Sequence, residues 1–142
     1  GFHGTINYKN ENLAEAIKRE CPEGVDFYFD NVGGDMLDTV MWQLAIGARV
    51  VLCGLMAQYN TDVIPPGPNP ASIIKARATV RGLVVYDFHD KKQEFLDFTI
   101  PLLDEEKIKY REDVSEGLDQ APHAFERLMK GQNFGKTIIK IS

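Results

Sequence analysis

With 142 residues, 44% of them apolar and 26% charged, the chain has the composition of one folded domain with a core, which excludes a disordered or fibrous protein. A net charge of -5 and the lack of a Lys/Arg run exclude a nucleic-acid partner, and no apolar run approaches the ~20 residues of a membrane helix, so no membrane partner is expected. Cys21 and Cys53 make neither a secreted disulfide framework nor a CxxC zinc pair, and no signal peptide precedes the first strand, so the expected location is a reducing cytoplasm.

The chain opens at Gly1-Phe2-His3-Gly4 without an initiator Met, which reads as a fragment or a processed chain. Thr5-Ile6-Asn7-Tyr8 is predicted to be a short strand. Residues 11–20 are predicted to be a helix: Asn12 and Glu15 have capping-box spacing, and Leu13, Ala16 and Ile17 share one face. Cys21-Pro22-Glu23-Gly24 ends it, residues 25–29 form the next strand, and Asn31-Val32-Gly33-Gly34 turns the chain. Met36, Leu37, Val40, Met41 and Leu44 repeat at helical spacing, with Gly47 closing that helix. Residues 49–52 read as a strand of the kind buried on both faces.

Residues 53–70 read as irregular, because Pro65-Pro66-Gly67-Pro68-Asn69-Pro70 suits neither helix nor central strand, and a loop of that length in a compact domain is usually functional. A short helix at 71–77 leads into a strand at 79–85. The stripe of Phe95, Phe98, Leu102 and Leu103 predicts a helix over 90–106, which Pro101 is expected to kink or split. A short strand, a helix over 118–130 stopped by Gly131, and a closing strand at 136–141 complete the order. This alternation predicts an α/β fold with a mostly parallel sheet and helices on both faces.

In open parallel sheets ligands bind beyond the carboxyl ends of the strands. That rule selects Asp30-Asn31-Val32-Gly33-Gly34, whose glycines permit close approach and whose Asn31 offers both donor and acceptor; a plain turn fits the same residues. It also selects the stretch from Cys53 to Asn60, in which Tyr59 is a candidate proton donor. Cys53 reads better as a small core residue than as a nucleophile, since no base neighbours it in sequence. The third place is Gly131-Gln132-Asn133-Phe134-Gly135-Lys136, by itself a helix stop. His3, His89 and His123 have no ligand spacing, so no metal site is expected.

Taken in order, Asn7-Tyr8-Lys9, Phe29-Asp30-Asn31-Val32-Gly33-Gly34, Cys53-Gly54 with Gln58-Tyr59-Asn60, Pro65-Pro66-Gly67-Pro68 and Asn133-Phe134-Gly135-Lys136-Thr137 resemble the zinc-free branch of the medium-chain dehydrogenase/reductase superfamily, which holds prostaglandin reductases, alkenal double-bond reductases and curcumin-reductase-like enzymes. The resemblance runs over essentially the whole chain. It implies a partial Rossmann-type doubly wound parallel sheet that lacks its first βαβ unit, with residues 1–142 as the C-terminal part of the NADP-binding domain. It implies NADP(H) as cofactor, a small-molecule enone or enal as substrate, and reduction of the C=C bond. By the same resemblance Tyr8 lies near the adenosine 2'-phosphate and Asn31 beside the nicotinamide half. The loop from Cys53 and Gly54 to Tyr59 runs under the nicotinamide ribose, with Tyr59 orienting or protonating the substrate. Leu83, Val84 and Val85 offer backbone groups to the carboxamide, and Asn133 touches the cofactor from the C-terminal turn. Tyr8 and Val84 also fit plain strand packing.

Two parts of the branch's pattern do not occur in these 142 residues: the barrel-like catalytic domain and the glycine-rich phosphate loop, with its helix N-terminus and the basic residue that reads the 2'-phosphate. The chain by itself is therefore expected to be inactive. The 5–8 strand loses its neighbour and 25–29 becomes a sheet edge, to be covered by a separate chain, a second copy or a rearranged N-terminus. The resemblance further implies a homodimer through strand 79–85. Quinone reduction by the same cofactor route, or a non-enzymatic α/β dimerisation module, are the alternatives.

Overall fold

The computed structural model describes residues 2–64 and 66–141; Gly1 at the opening of the chain, Pro65 at the head of the proline cluster and Ser142 lie outside the described residues. The chain divides into two compact units, Gly1–His89 and Asp90–Ser142.

In the first unit, α1 (Leu13–Glu20) starts where its cap predicts: the Asn12 side chain accepts the Glu15 N–H at 3.1 Å, and Ala16 and Ile17 are buried. β1 (Val25–Asp30), α2 (Gly34–Met41), β2 (Leu44–Leu52), α3 (Ala71–Ala76) and β3 (Thr79–Gly82) follow. The strands form a parallel sheet in the order β1-β2-β3. Tyr28, Val50 and Val80 are register mates on one face, and that face packs against Ile17 of α1, Leu37, Val40 and Met41 of α2 and Ala76 of α3.

The predicted strand at residues 5–8 is not one. Thr5, Ile6 and Asn7 have no ladder partner among the described residues, and the chain turns at Asn7, whose carbonyl accepts the N–H groups of Asn10 and Glu11. A short segment holds strand geometry only when a neighbour takes its backbone groups, and the free edge of β1 lies open instead. Residues 5–7 thus add no strand to this edge.

The helical reading through Leu44 to Gly47 is also corrected. α2 stops at Met41, Trp42 caps it, and Gln43 offers its carbonyl to the N–H of Val25, so Leu44 already belongs to β2. Gly47 is not a helix stop. It sits at φ 79 in the stretch where β2 runs from Leu44 to Arg49 while β1 runs only from Val25 to Phe27. The extra residues bulge out, and glycine takes the positive φ there without strain.

Within the first unit, the described helices α1, α2 and α3 share one face of this sheet and do not cover the other. Phe27 and Phe29 are 61% and 46% exposed, and Arg49 and Arg81 are exposed on the same side. The reason is topological. β2 and β3 are added in the same direction, and crossovers of one hand then return on one side; a helix on the far side needs a reversal of strand order. For the same reason β2 is buried on one face only. β3 ends at Gly82, and Val85 opens a 3-10 stretch, Val85–Lys91, instead of extending the strand.

In the second unit, α4 (Lys92–Asp104) continues through Pro101, so the proline does not split it; Glu105 N–H reaches the Pro101 carbonyl at 3.0 Å. β4 (Glu112–Glu116), a 3-10 turn at Leu118–Gln120, α5 (Ala121–Met129) and β5 (Lys136–Lys140) form a βαβ unit with a two-stranded parallel sheet of its own. The fold is α/β with parallel, open sheets, as the alternation implies.

Candidate functional site at the strand ends

β1, β2 and β3 end at one level, because Asp30, Leu52 and Gly82 are register mates. Asn31, Cys53 and Leu83 are therefore each the first residue beyond a strand end. The loops that leave this edge are stitched together by backbone. Cys53 and Gly54 donate to the Asp30 carbonyl at 2.8 and 3.3 Å, Met56 to Asn31 at 3.1 Å and Ala57 to Val32 at 2.9 Å. Leu83 donates to Leu52 at 2.9 Å. Gly54 eases this approach, since a Cβ there would stand 3.1 Å from the Asn31 carbonyl oxygen and the loops would have to part slightly.

Asp30 holds the first loop from beneath. Only 1% exposed, its carboxylate accepts the Tyr28 hydroxyl at 2.9 Å, the Val32 N–H at 3.0 Å and the Gly33 N–H at 2.9 Å. A buried carboxylate is tolerated when such donors saturate it. Burial raises the Tyr28 phenol pKa well above its ordinary value, and the hydrogen bond and charge of Asp30 add to the rise. Gly33, at φ 71, closes the turn and leads into α2.

Among the described residues the Asn31 carboxamide makes no hydrogen bond, and the residue is exposed at the strand end. Cys53 and Gly54 are partly buried beside it. Tyr59 ends the 3-10 turn Met56–Gln58 and is 64% exposed. Val84 and Val85 follow Leu83 with exposed side chains, and Leu55 and Met56 are exposed too. The edge thus offers a free carboxamide, backbone polar groups, an apolar surface suited to a flat ring, and a phenol. Among the described residues no three His, Cys, Asp or Glu side chains group as metal ligands.

Two further predicted residues lie outside these three loops in the chain. Tyr8 lines an apolar cavity of about 280 Å³ with Ile6, Leu13, Val25, Tyr28 and Met36, by the helix-bearing face of the sheet. Asn133 belongs to the second unit, in the turn between α5 and β5, where its amide donates to the Gly135 carbonyl at 2.9 Å. Sequence reasoning missed Asp30 and Tyr28 as the supports of the loop. The usable signal was an Asp placed two and three residues before N–H groups in a Gly-rich turn, the Asx-turn pattern.

Residues 1–100 match the model of the family described as zinc-binding dehydrogenase. The chain is 36% identical over 148 aligned positions to the NADPH-dependent curcumin reductase of Escherichia coli (strain K12), and 40% identical over 143 to prostaglandin reductase 1 of Rattus norvegicus. These alignments take in 100% and 99% of this chain but 43% and 44% of the relatives. The crystal structure of CurA from Vibrio vulnificus in complex with NADPH superposes with a TM-score of 0.89 at 38% identity, over 100% of this chain and 44% of that one. The chain spans less than half the length of the relatives it matches. The family match over most of the chain and the likeness in fold agree with the order of strand-end motifs, and the chain belongs to the zinc-binding dehydrogenase family, within the medium-chain dehydrogenase/reductase superfamily.

Proposed function

We propose that the protein to which this chain belongs is an NADPH-dependent oxidoreductase that reduces the C=C bond of α,β-unsaturated ketones and aldehydes, and that residues 1–142 are the C-terminal part of its cofactor-binding domain. The observation that carries the reading is the Asp30-braced loop stitched to the Cys53–Ala57 backbone at the carboxyl ends of parallel strands, where open α/β sheets bind dinucleotides. The NADPH dependence in a relative's name and the NADPH complex of a structural neighbour support it.

The residues present fit the nicotinamide half of the cofactor. The free Asn31 carboxamide and the Leu83–Val85 backbone suit the polar groups of the ring and its ribose, and the exposed Leu55, Met56 and Val84 suit its faces. When bound, the cofactor supplies a hydride. The chain's own part is to orient that ring and keep water away from it, while the Tyr59 hydroxyl holds the substrate carbonyl or delivers a proton to the reduced product. Tyr8 is assigned to the adenosine side and Asn133 to the cofactor from the C-terminal turn. No zinc ligand is asked of this chain. A homodimer through the free edge of β3 and a cytoplasmic location complete the proposal.

The test is expression of the complete gene product, followed by NADPH titration and by NADPH oxidation in the presence of a 2-alkenal, an enone or a quinone. Saturable NADPH binding and oxidation dependent on 2-alkenal or enone are expected. Absence of NADPH binding defeats the cofactor assignment; turnover with quinone alone defeats the substrate assignment.

A further inference from the structure

The turn that carries Asn133 is held by a side chain from another strand. The Asp113 carboxylate on β4 accepts the Phe134 N–H at 3.1 Å, and the same oxygen accepts Arg127 Nη2 of α5 at 2.9 Å, with Nη1 at 3.5 Å from the other. The two side chains are 31% and 16% exposed for Arg127 and Asp113, so the pair is more sheltered than an ordinary surface bridge. The Phe134 N–H foremost, and the Arg127 and Arg111 charges with it, hold the Asp113 carboxyl below its ordinary range. The Arg111 guanidinium stacks 4.4 Å from the centre of the Phe134 ring, and its carbonyl accepts the Lys136 N–H at 2.7 Å. A Cβ on Gly135, at φ 103, would collide with that Arg111 carbonyl. Residues 133–135 are thereby pinned on both sides of Asn133's own hydrogen bond. Because the Asn133 amide donates to Gly135, its side-chain oxygen is the end left to accept from a ligand.

We propose that Asp113 is a positioning residue for cofactor binding: its joint hold on Arg127 and on the Phe134 N–H sets the turn that presents the Asn133 side-chain oxygen to a cofactor donor such as a ribose hydroxyl. This rests on the reading of Asn133 as a cofactor contact. Asp113 touches no ligand itself and acts through Asn133. Arg127 orients the carboxylate, and the glycine lets the turn lie against β4.

A double-mutant cycle on the complete gene product tests it, with the NADPH dissociation constant and kcat as readouts. Asn133→Ala is expected to weaken NADPH binding about fivefold, the value of one neutral hydrogen bond. Asp113→Ala is expected to weaken it by a similar factor with kcat at saturating NADPH within twofold, and the double variant to be no worse than either single one. Asp113→Asn, which keeps an acceptor for the Phe134 N–H, is expected to recover part of the loss; it also serves where Asp113→Ala fails to fold. Additive losses, or full-strength NADPH binding in both Asp113 variants beside a weakened Asn133→Ala, overturn the proposal. Unchanged NADPH binding in Asn133→Ala overturns the reading of Asn133 on which it rests.

Discussion

The Tyr28 hydroxyl and the Asp30 carboxylate meet at 2.9 Å, two residues apart on the last strand turns of β1. Period-two alternation puts both on the same face of the strand, beneath the loop that leaves it. From there the carboxylate reaches the N–H groups of Val32 and Gly33, and so the strand carries its own brace for the strand-end loop.

Removing the brace strands three buried or half-buried donors. Asp30→Ala is expected to cost about 3 kcal/mol of stability, from donors left unpaired at ~1–3 kcal/mol each with some regaining water. Tyr28→Phe, which leaves the two backbone donors satisfied, is expected to cost about 1 kcal/mol. Urea unfolding of the chain measures both; an Asp30→Ala midpoint equal to the parent's would refute the brace.

The same pair sets an alkaline dependence. The Tyr28 pKa is raised in the folded chain above its ordinary value of 10.0, so its stabilising contribution is intact below that value and is lost as pH rises through the folded-state pKa. Stability measured from neutral pH upward should therefore decline beyond about pH 10 more steeply in the parent than in Tyr28→Phe. Parallel curves for the two proteins would contradict the assignment.

Tyr59 tests the chemistry rather than the fold, because its side chain is 64% exposed and braces nothing. In the complete protein Tyr59→Phe is expected to lower kcat with a 2-alkenal about 100-fold, the lower range for a lost general acid, with NADPH affinity within twofold. Steady-state kinetics with separately measured cofactor binding decide it. An unaltered kcat removes Tyr59 from the reaction.

The uncovered sheet face predicts behaviour of the 142-residue chain on its own. Phe27 and Phe29 are exposed on a strand whose outer edge has no strand partner among the described residues. Such an edge with apolar side chains recruits further strands. Size-exclusion chromatography with light scattering should show self-association that falls when Phe27→Lys and Phe29→Lys are combined. A parent chain that stays monomeric at high concentration would argue against an adhesive edge.

The local elements were legible where the signal is local. The Asn12 cap, the apolar stripe of α1, the Gly33-Gly34 turn and the parallel α/β class all follow from residue type and spacing, and the order of strand-end motifs named the family. Reading failed where the outcome depends on a neighbour. Leu44 continues the helical stripe of α2 in sequence, yet pairing with β1 claims it for β2; residues 5–8 have strand composition, yet no ladder receives them.

The sequence by itself determined which residues favour helix, strand and turn, because propensity and periodicity act within a few residues. Only the tertiary structure decided that Asp30 braces the first loop, that Asn31, Cys53 and Leu83 share one level, that α1, α2 and α3 gather on one side of β1-β2-β3, and that Asp113 grips a turn 21 residues away. Those outcomes depend on strand register and on crossover direction, which bring together groups remote in the chain and leave no mark in any short stretch of it.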